Sequence, residues 1–548
     1  MASLDETAQS GPVLRTTRLG SLLLPAALTL ISALFFFGVL LRMMNYELRK
    51  DEQLYVPPIR LLERYDLYTD FFYNHTPASA WFFYAIHELT GSDHLLLVGR
   101  LGVFLGWVIL ALGIGAIAYR LTRSAIAAWS IAALSLSNEL FFAQTGMTAT
   151  NNFLTLAFSF LGLGLFVVAI DDDRPRPVTI AAAGFLLALA VGFKVSAVAF
   201  IPPVAIAAFL LPRSVRVKER LPRVALPLLI GGIIGGLPVL IPLLSDPERF
   251  LAHVVAYHTG PHRSYWQLPG TADEGAAISY PAKILLAYDI WLSAGIAVAL
   301  AAALAVVFMV VSGSGRGQRR SPPISSGAML TVLGALLCSV VFSFVPTPGF
   351  PQYFAPPLIC LPLVLALVFA GLDAEARPAG AAVFLAAALV ALVTIAPRLG
   401  QHAASVLHPE RWTVMRVHDA GRTLAERLGA VKMEGKVATL APVYPLEGGL
   451  DVYAELATGP FAYRTGDVTE PALAAQYEMT SPSKIEALLE SDPPSALLLG
   501  FDPLLEQPMR AYAVRNGYRP VTDLGFRDRY GEPVVYLRPV PALSLAGR

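Results

Sequence analysis

Eleven apolar stretches, most near 20 residues long and separated by polar loops, constrain this chain more than any other feature of it. They lie near residues 20–41, 95–119, 124–143, 151–170, 178–196, 198–212, 224–244, 288–312, 327–345, 355–372 and 378–397. A helix rises ~1.5 Å per residue and the hydrocarbon core of a bilayer is ~30 Å thick, so about 20 apolar residues make one span. Only 15% of the 548 residues are charged, against about 25% in soluble domains. The expected fold class is therefore an α-helical polytopic membrane protein with about eleven transmembrane helices. The pair over 178–212 is the least regular, since Gly192-Phe193-Lys194 and Pro202-Pro203 interrupt it. A net charge of +1 excludes the concentrated basic face of a nucleic-acid partner. Cys338 and Cys360 fall inside apolar runs and read as small buried hydrophobes.

The first run is too long for a signal-peptide core of roughly 7–15 residues, and no small-residue cleavage site follows it. It reads as a retained span after a cytoplasmic tail over 1–19. Basic residues collect in alternate short loops, at 120–123, 171–176, 213–223, 313–320 and 373–377, and are missing near 145–151 and 346–353. By the positive-inside rule the former face the cytoplasm. This sets a membrane unit over 20–397 with its first loop, 42–94, outside, together with the loop over 245–287. Beyond Arg398 the apolar runs end. Strand patterns at 436–440, 496–500 and 533–537 and helix patterns at 411–428, 484–489 and 503–515 predict a small extracytoplasmic α/β domain over 398–548. It shows no phosphate loop, metal spacing or nucleophile elbow, and a lid or acceptor-docking role is expected of it. The expected location is the cell (inner) membrane.

Asn45 to Pro77 is the longest polar stretch between Gly20 and Arg398. Within it Asp51-Glu52 lies about ten residues past the first span, with Arg49-Lys50 before and Tyr55 after. Adjacent acids on a loop are ordinarily only solvated. At a membrane face, a carboxylate here can take a proton from an acceptor hydroxyl while a phosphate departs from the opposite side of a sugar. Lys194 lies inside an apolar run, a costly position that marks a functional candidate unless the side chain merely snorkels. His253, His258 and His262 share an outer loop with Arg263; no acid sits among them, which argues against a metal.

The acidic pair after the first span, the His75-Thr76-Pro77 turn and the Trp- and Phe-rich helix that follows resemble the GT-C glycosyltransferases. The similarity is to the branch that uses dolichyl- or undecaprenyl-phosphate sugars, which includes protein O-mannosyltransferases and lipid A aminoarabinose transferases. It covers Gly20 to Leu372 and implies inverting transfer of one sugar from a polyprenyl phosphate. Asp51 matches the family's catalytic base and Glu52 its neighbouring acid, expected to orient or bind the acceptor. Lys194 matches a lysine near a mid-chain span end, without the glycine that follows it in the family. His258, His262 and Arg263 match a loop that holds the donor phosphate. Tyr353, in Gln352-Tyr353-Phe354-Ala355-Pro356, matches a tyrosine facing the donor. Tyr55, His75 and Glu139 are expected to contact substrate. The family's charged pair at the start of the fourth span is missing from Gly146 to Asn152. No cofactor is implied with certainty; a divalent metal is compatible but unsupported. The implied partners are a polyprenyl-phosphate sugar, a glycan, lipid or protein acceptor, and membrane lipids. The rival readings are a transporter or lipid-linked sugar flippase, disfavoured because the polar residues gather at one face and no repeat is visible, and a non-catalytic assembly factor.

Overall fold

The structure is a computed structural model that describes residues 18–172, 175–211, 215–271, 275–314, 326–430, 434–522 and 524–539. The tail before residue 18 and the basic loop over 315–320 lie outside the described residues. Eight helices are long and apolar enough to cross a membrane: Leu23–Asn45, Leu95–Thr122, Asn151–Asp171, Val217–Ser245, Ala294–Ser312, Gly327–Phe344, Pro351–Ala370 and Arg377–Gly400. Three shorter apolar helices, Ala125–Leu136, Pro177–Phe193 and Val195–Leu210, complete the membrane unit. Each of the eleven expected runs falls on one of these helices, so the chain is a multi-pass membrane protein.

The closest helix contact is glycine-driven. Gly231 and Gly235 stand one turn apart on the helix Leu226–Ser245. A Cβ on Gly231 would collide with the Ala181 carbonyl oxygen, and one on Gly235 with that of Phe185. The helix Pro177–Phe193 therefore packs against this small-residue stripe backbone to backbone, the solution that lipid-embedded helices use where no water drives them together. At the far end of Pro177–Phe193 the chain turns extended at Lys194 (φ −153°, ψ 124°). The lysine thus occupies a corner between two short helices.

The first loop folds into two single-turn helices, Glu52–Tyr55 and Pro58–Leu61, split by Pro57-Pro58 as the prolines require. Their anchor is a buried ion pair. The Arg100 guanidinium donates to Glu52 Oε1 at 3.0 Å and Oε2 at 2.9 Å, and both side chains are 0% exposed. Arg100 also donates to the Met43 and Tyr46 carbonyls at 2.8 and 2.7 Å, and Glu52 accepts the Ala149 N–H at 2.8 Å. The loop is thereby pinned to the helix Leu95–Thr122 and to the end of the first span. The aromatic helix Ala78–Thr90 follows and stops at Gly91, whose φ of 60° suits glycine.

The C-terminal unit forms one four-stranded sheet in the order β1-β2-β4-β3, where β1 is Val437–Thr439, β2 Ala496–Leu499, β3 Arg519–Val521 and β4 Val534–Leu537. β1 and β2 are parallel and the other pairs antiparallel, with Ala496 opposite Leu537 and Arg519 opposite the same residue on its other side. The helices Thr413–Ala430, Ile485–Ser491 and Gln507–Arg515 fall where the sequence predicts them. β3 was not foreseen: Pro520 interrupts the strand pattern, and its position on an outer strand explains why it is tolerated. This unit sits on the first outer loop. Gln53 accepts the Val443 N–H at 3.0 Å, Glu447 accepts the Leu96 N–H at 2.8 Å, Lys50 pairs with Asp502 at 3.1 Å, and the hydroxyls of Tyr257 and Tyr477 bond the Phe461 and Ala252 carbonyls at 2.7 Å.

Candidate functional site

A polar cavity of about 350 Å³ opens where the first loop, the Lys194 corner, the histidine loop and the C-terminal unit meet. Asp51, Tyr55, His75, Gln144, Asn152, Lys194, His258, His262, Tyr353 and Arg464 face it, with Arg49, Lys50, Arg529 and Tyr530 toward one end. A second cavity of about 430 Å³ adjoins it and is mostly apolar, walled by Val195, Val254, Phe342, Val345 and Pro348. His75, Lys194, His258, His262 and Tyr353 belong to both walls and form the junction.

Asp51 precedes the helix Glu52–Tyr55, and its backbone is fixed because its carbonyl accepts the Leu54 N–H at 3.0 Å. Its side chain receives the Gln144 amide at 2.6 Å. Desolvation pushes the carboxyl above its ordinary range, while Arg464, Lys194 and the Gln144 hydrogen bond pull it back. A carboxylate so balanced is a better proton acceptor than a free one. Lys194 reaches across the cavity, donating to Asn152 Oδ1 at 2.6 Å with its ammonium 4.6 Å from the Tyr353 ring centre.

The Asn74-His75-Thr76-Pro77 turn is held by Tyr68, which adopts φ 72° and donates its hydroxyl to the His75 carbonyl at 2.7 Å. His75 stacks on Tyr55 at 5.2 Å and lies 5.3 Å from the His258 ring. Burial drives the imidazoles of His75, His258 and His262 below their usual range, so all three are neutral at pH 7. His258 Nε2 faces the Asn74 carbonyl at 2.7 Å and so carries the proton, leaving Nδ1 an acceptor.

Three expected site residues stand elsewhere. Glu52 is paired with Arg100 and lines neither of these two cavities; its contacts position the loop. Glu139 pairs with Arg398 at 3.1 Å, away from both cavities. Arg263 is exposed and borders only the apolar cavity. Conversely, Gln144, Asn152 and Arg464 were not anticipated. Asn152 ends the uncharged segment where a charged pair was sought and Gln144 lies just before it, and they supply amides instead. Arg464 had no sequence signal, because it arrives from a remote unit. Among the described residues no group of three or more His, Cys, Asp or Glu is placed to hold a metal ion.

Comparison with known proteins bears on the fold. Residues 74–242 match the family model described as dolichyl-phosphate-mannose-protein mannosyltransferase. Compared with curated protein sequences, the chain finds no match. The crystal structure of ArnT from Cupriavidus metallidurans bound to undecaprenyl phosphate superposes with a TM-score of 0.59 at 15% identity, covering 97% of this chain and 100% of that one. Its apo state gives 0.58 at 13% identity over 94% and 98%. The Archaeoglobus fulgidus oligosaccharyltransferase gives 0.46 at 14% identity over 89% and 71%. The chain therefore has the fold of the ArnT crystal structure across both the membrane unit and the C-terminal unit.

Proposed function

We propose that this protein is a glycosyltransferase that moves one sugar from a polyprenyl phosphate to an extracytoplasmic acceptor. The observation that carries this reading is the pairing of cavities: an apolar groove fit for a prenyl chain joins, at Lys194, a polar chamber holding a carboxylate of raised basicity. The ArnT crystal structure with undecaprenyl phosphate supports such a donor. The prenyl chain lies along Val195, Val254, Phe342 and Val345, and the phosphate rests at the junction. The sugar extends into the polar chamber toward Asp51.

In the reaction an acceptor hydroxyl oxygen attacks the anomeric carbon, forming the new glycosidic bond. Asp51 takes the hydroxyl proton. The bond between the anomeric carbon and the phosphate oxygen breaks, its electron pair stays on that oxygen, and the polyprenyl phosphate leaves with one more negative charge. Attack from the face opposite the phosphate inverts the anomeric centre. Lys194 stabilises the developing charge, and Gln144 keeps Asp51 ionised and oriented. Tyr55 and His75 supply a stacked surface for the sugar. By the distribution of basic loops, the chamber faces outward and the N-terminus inward.

The test is turnover by purified protein given a lipid-linked sugar pool and acceptor-bearing membranes, followed by release of polyprenyl phosphate. Asp51→Asn should lose transfer by about 10²–10⁴-fold while still binding undecaprenyl phosphate. Wild-type turnover by this variant would refute the role.

A further inference from the structure

We propose that Arg464, carried by the C-terminal unit, is a direct ligand of the donor phosphate, so that the phosphate seat is complete only when that unit is docked. This rests on the polyprenyl-phosphate reading above and assigns the C-terminal unit a part in donor binding.

Arg464 follows the short helix Pro460–Tyr463. Its guanidinium lies 4.8 Å from the Phe461 ring centre, 5.0 Å from Trp266 and 5.4 Å from Tyr265. Phe461 belongs to the C-terminal unit, and Tyr265 and Trp266 to the histidine loop of the membrane unit. Aromatic faces hold a guanidinium in place without neutralising it. Its Nε is buried and has no hydrogen-bond partner, a state that costs free energy unless a ligand fills it. Trp266 Nε1 and His262 Nδ1, on the same wall, are likewise buried and unpartnered.

Position selects the phosphate over the acceptor. Arg464 lines the polar cavity with Asp51, and the Trp266 ring 5.0 Å from its guanidinium lies 6.2 Å from the ring of His262, which stands at the junction of the two cavities. A headgroup whose chain fills the apolar cavity and whose sugar fills the polar one has its phosphate at that junction. The charge balance agrees. A sugar phosphodiester carries one negative charge and gains a second as the glycosidic bond breaks. The neutral imidazoles cannot answer it, and Lys194 supplies a single positive charge. Arg464 supplies the second, with a planar fork suited to phosphate oxygens. The guanidinium expected from Arg263 thus comes from a unit nearly two hundred residues away in sequence.

The experiment measures binding of undecaprenyl phosphate to the full-length protein in nanodiscs, with melting temperature as the check on folding. Arg464→Gln should bind roughly tenfold or more weakly, and Arg464→Lys should fall between it and the wild type, because an ammonium keeps the charge but not the fork. Arg510→Gln, which removes a guanidinium 5.9 Å from the Tyr536 ring in the same unit, should bind as wild type. Wild-type affinity in a folded Arg464→Gln, or in Arg464→Lys should the glutamine variant not fold, overturns the proposal while leaving the donor reading intact. Failure of the wild type itself to bind undecaprenyl phosphate removes both.

Discussion

The proposed role of Asp51 as a base rests on surroundings that pull it two ways. Desolvation favours its neutral form, and the Gln144 amide, Lys194 and Arg464 favour its ionised form. Only the ionised form accepts a proton, so transfer should fall as pH drops through a value above the ordinary carboxylate range. Replacing Gln144 with Leu removes a hydrogen bond to the carboxylate and should move this acid limb to higher pH, with little change in rate on the plateau. The pH profile of the rate checks it; an unmoved limb would show that Gln144 does not touch the reacting group. Much of this was legible at the level of residue type. Asp51, Tyr55, His75, Lys194, His258, His262 and Tyr353 were each singled out from sequence and do converge on one cavity wall. Glu52 does not join them, which an acidic pair, read as two equivalent groups, does not reveal. The half-turn of helix that begins there sends one carboxylate to the cavity and the other to Arg100. Arg100 lay unnoticed inside an apolar run, where a charge without a visible partner should itself have been a signal.

At the scale of elements, the first loop depends on the Glu52–Arg100 pair. Glu52→Ala leaves a fully buried guanidinium without its countercharge, which should destabilise the protein by about 3–5 kcal/mol and disorder the Asp51 segment. Thermal unfolding followed by size-exclusion chromatography measures it; an unchanged melting temperature would mean the pair does not hold the loop. The histidine loop makes a separate prediction. His253 is 0% exposed among Tyr68, Phe72 and Tyr477, and burial lowers its pKa to about 4 from 6.5. The unfolded chain therefore binds a proton that the folded one refuses, so stability falls as pH drops from about 6.5 and levels off below about 4. The loss is bounded on the order of 3 kcal/mol. In His253→Phe the slope of melting temperature against pH over that window should shrink; an identical slope would place the acid sensitivity elsewhere. Helix placement was readable from hydropathy because each run must span the same thickness. The break at Gly192-Phe193-Lys194 was visible too, whereas the edge strand at Arg519–Val521 was not, since it is set by a partner strand.

For the whole molecule, the C-terminal unit, the first loop and the histidine loop share one face, joined by Gln53, Lys50 and Tyr257. The proposed orientation, set by the basic loops of the sequence, makes this face extracytoplasmic. A cysteine placed at exposed Lys484, with Cys338 and Cys360 replaced by Ala, should react with a membrane-impermeant maleimide in intact cells. Labelling only after lysis would invert the topology and exclude an outward-facing chamber. The α/β character of this unit was evident from its alternating elements. Its involvement in the cavity was not, because a docking geometry leaves no periodic trace in the chain.

Glycan mass spectrometry of the cell envelope is the most direct test of the central claim that Asp51 drives sugar transfer. A strain lacking this protein is complemented with the wild type or with Asp51→Asn at equal expression. One envelope glycoconjugate should lose the mass of a single sugar in the deletion, recover it with the wild type and stay short with Asp51→Asn. Full recovery with Asp51→Asn would contradict the account.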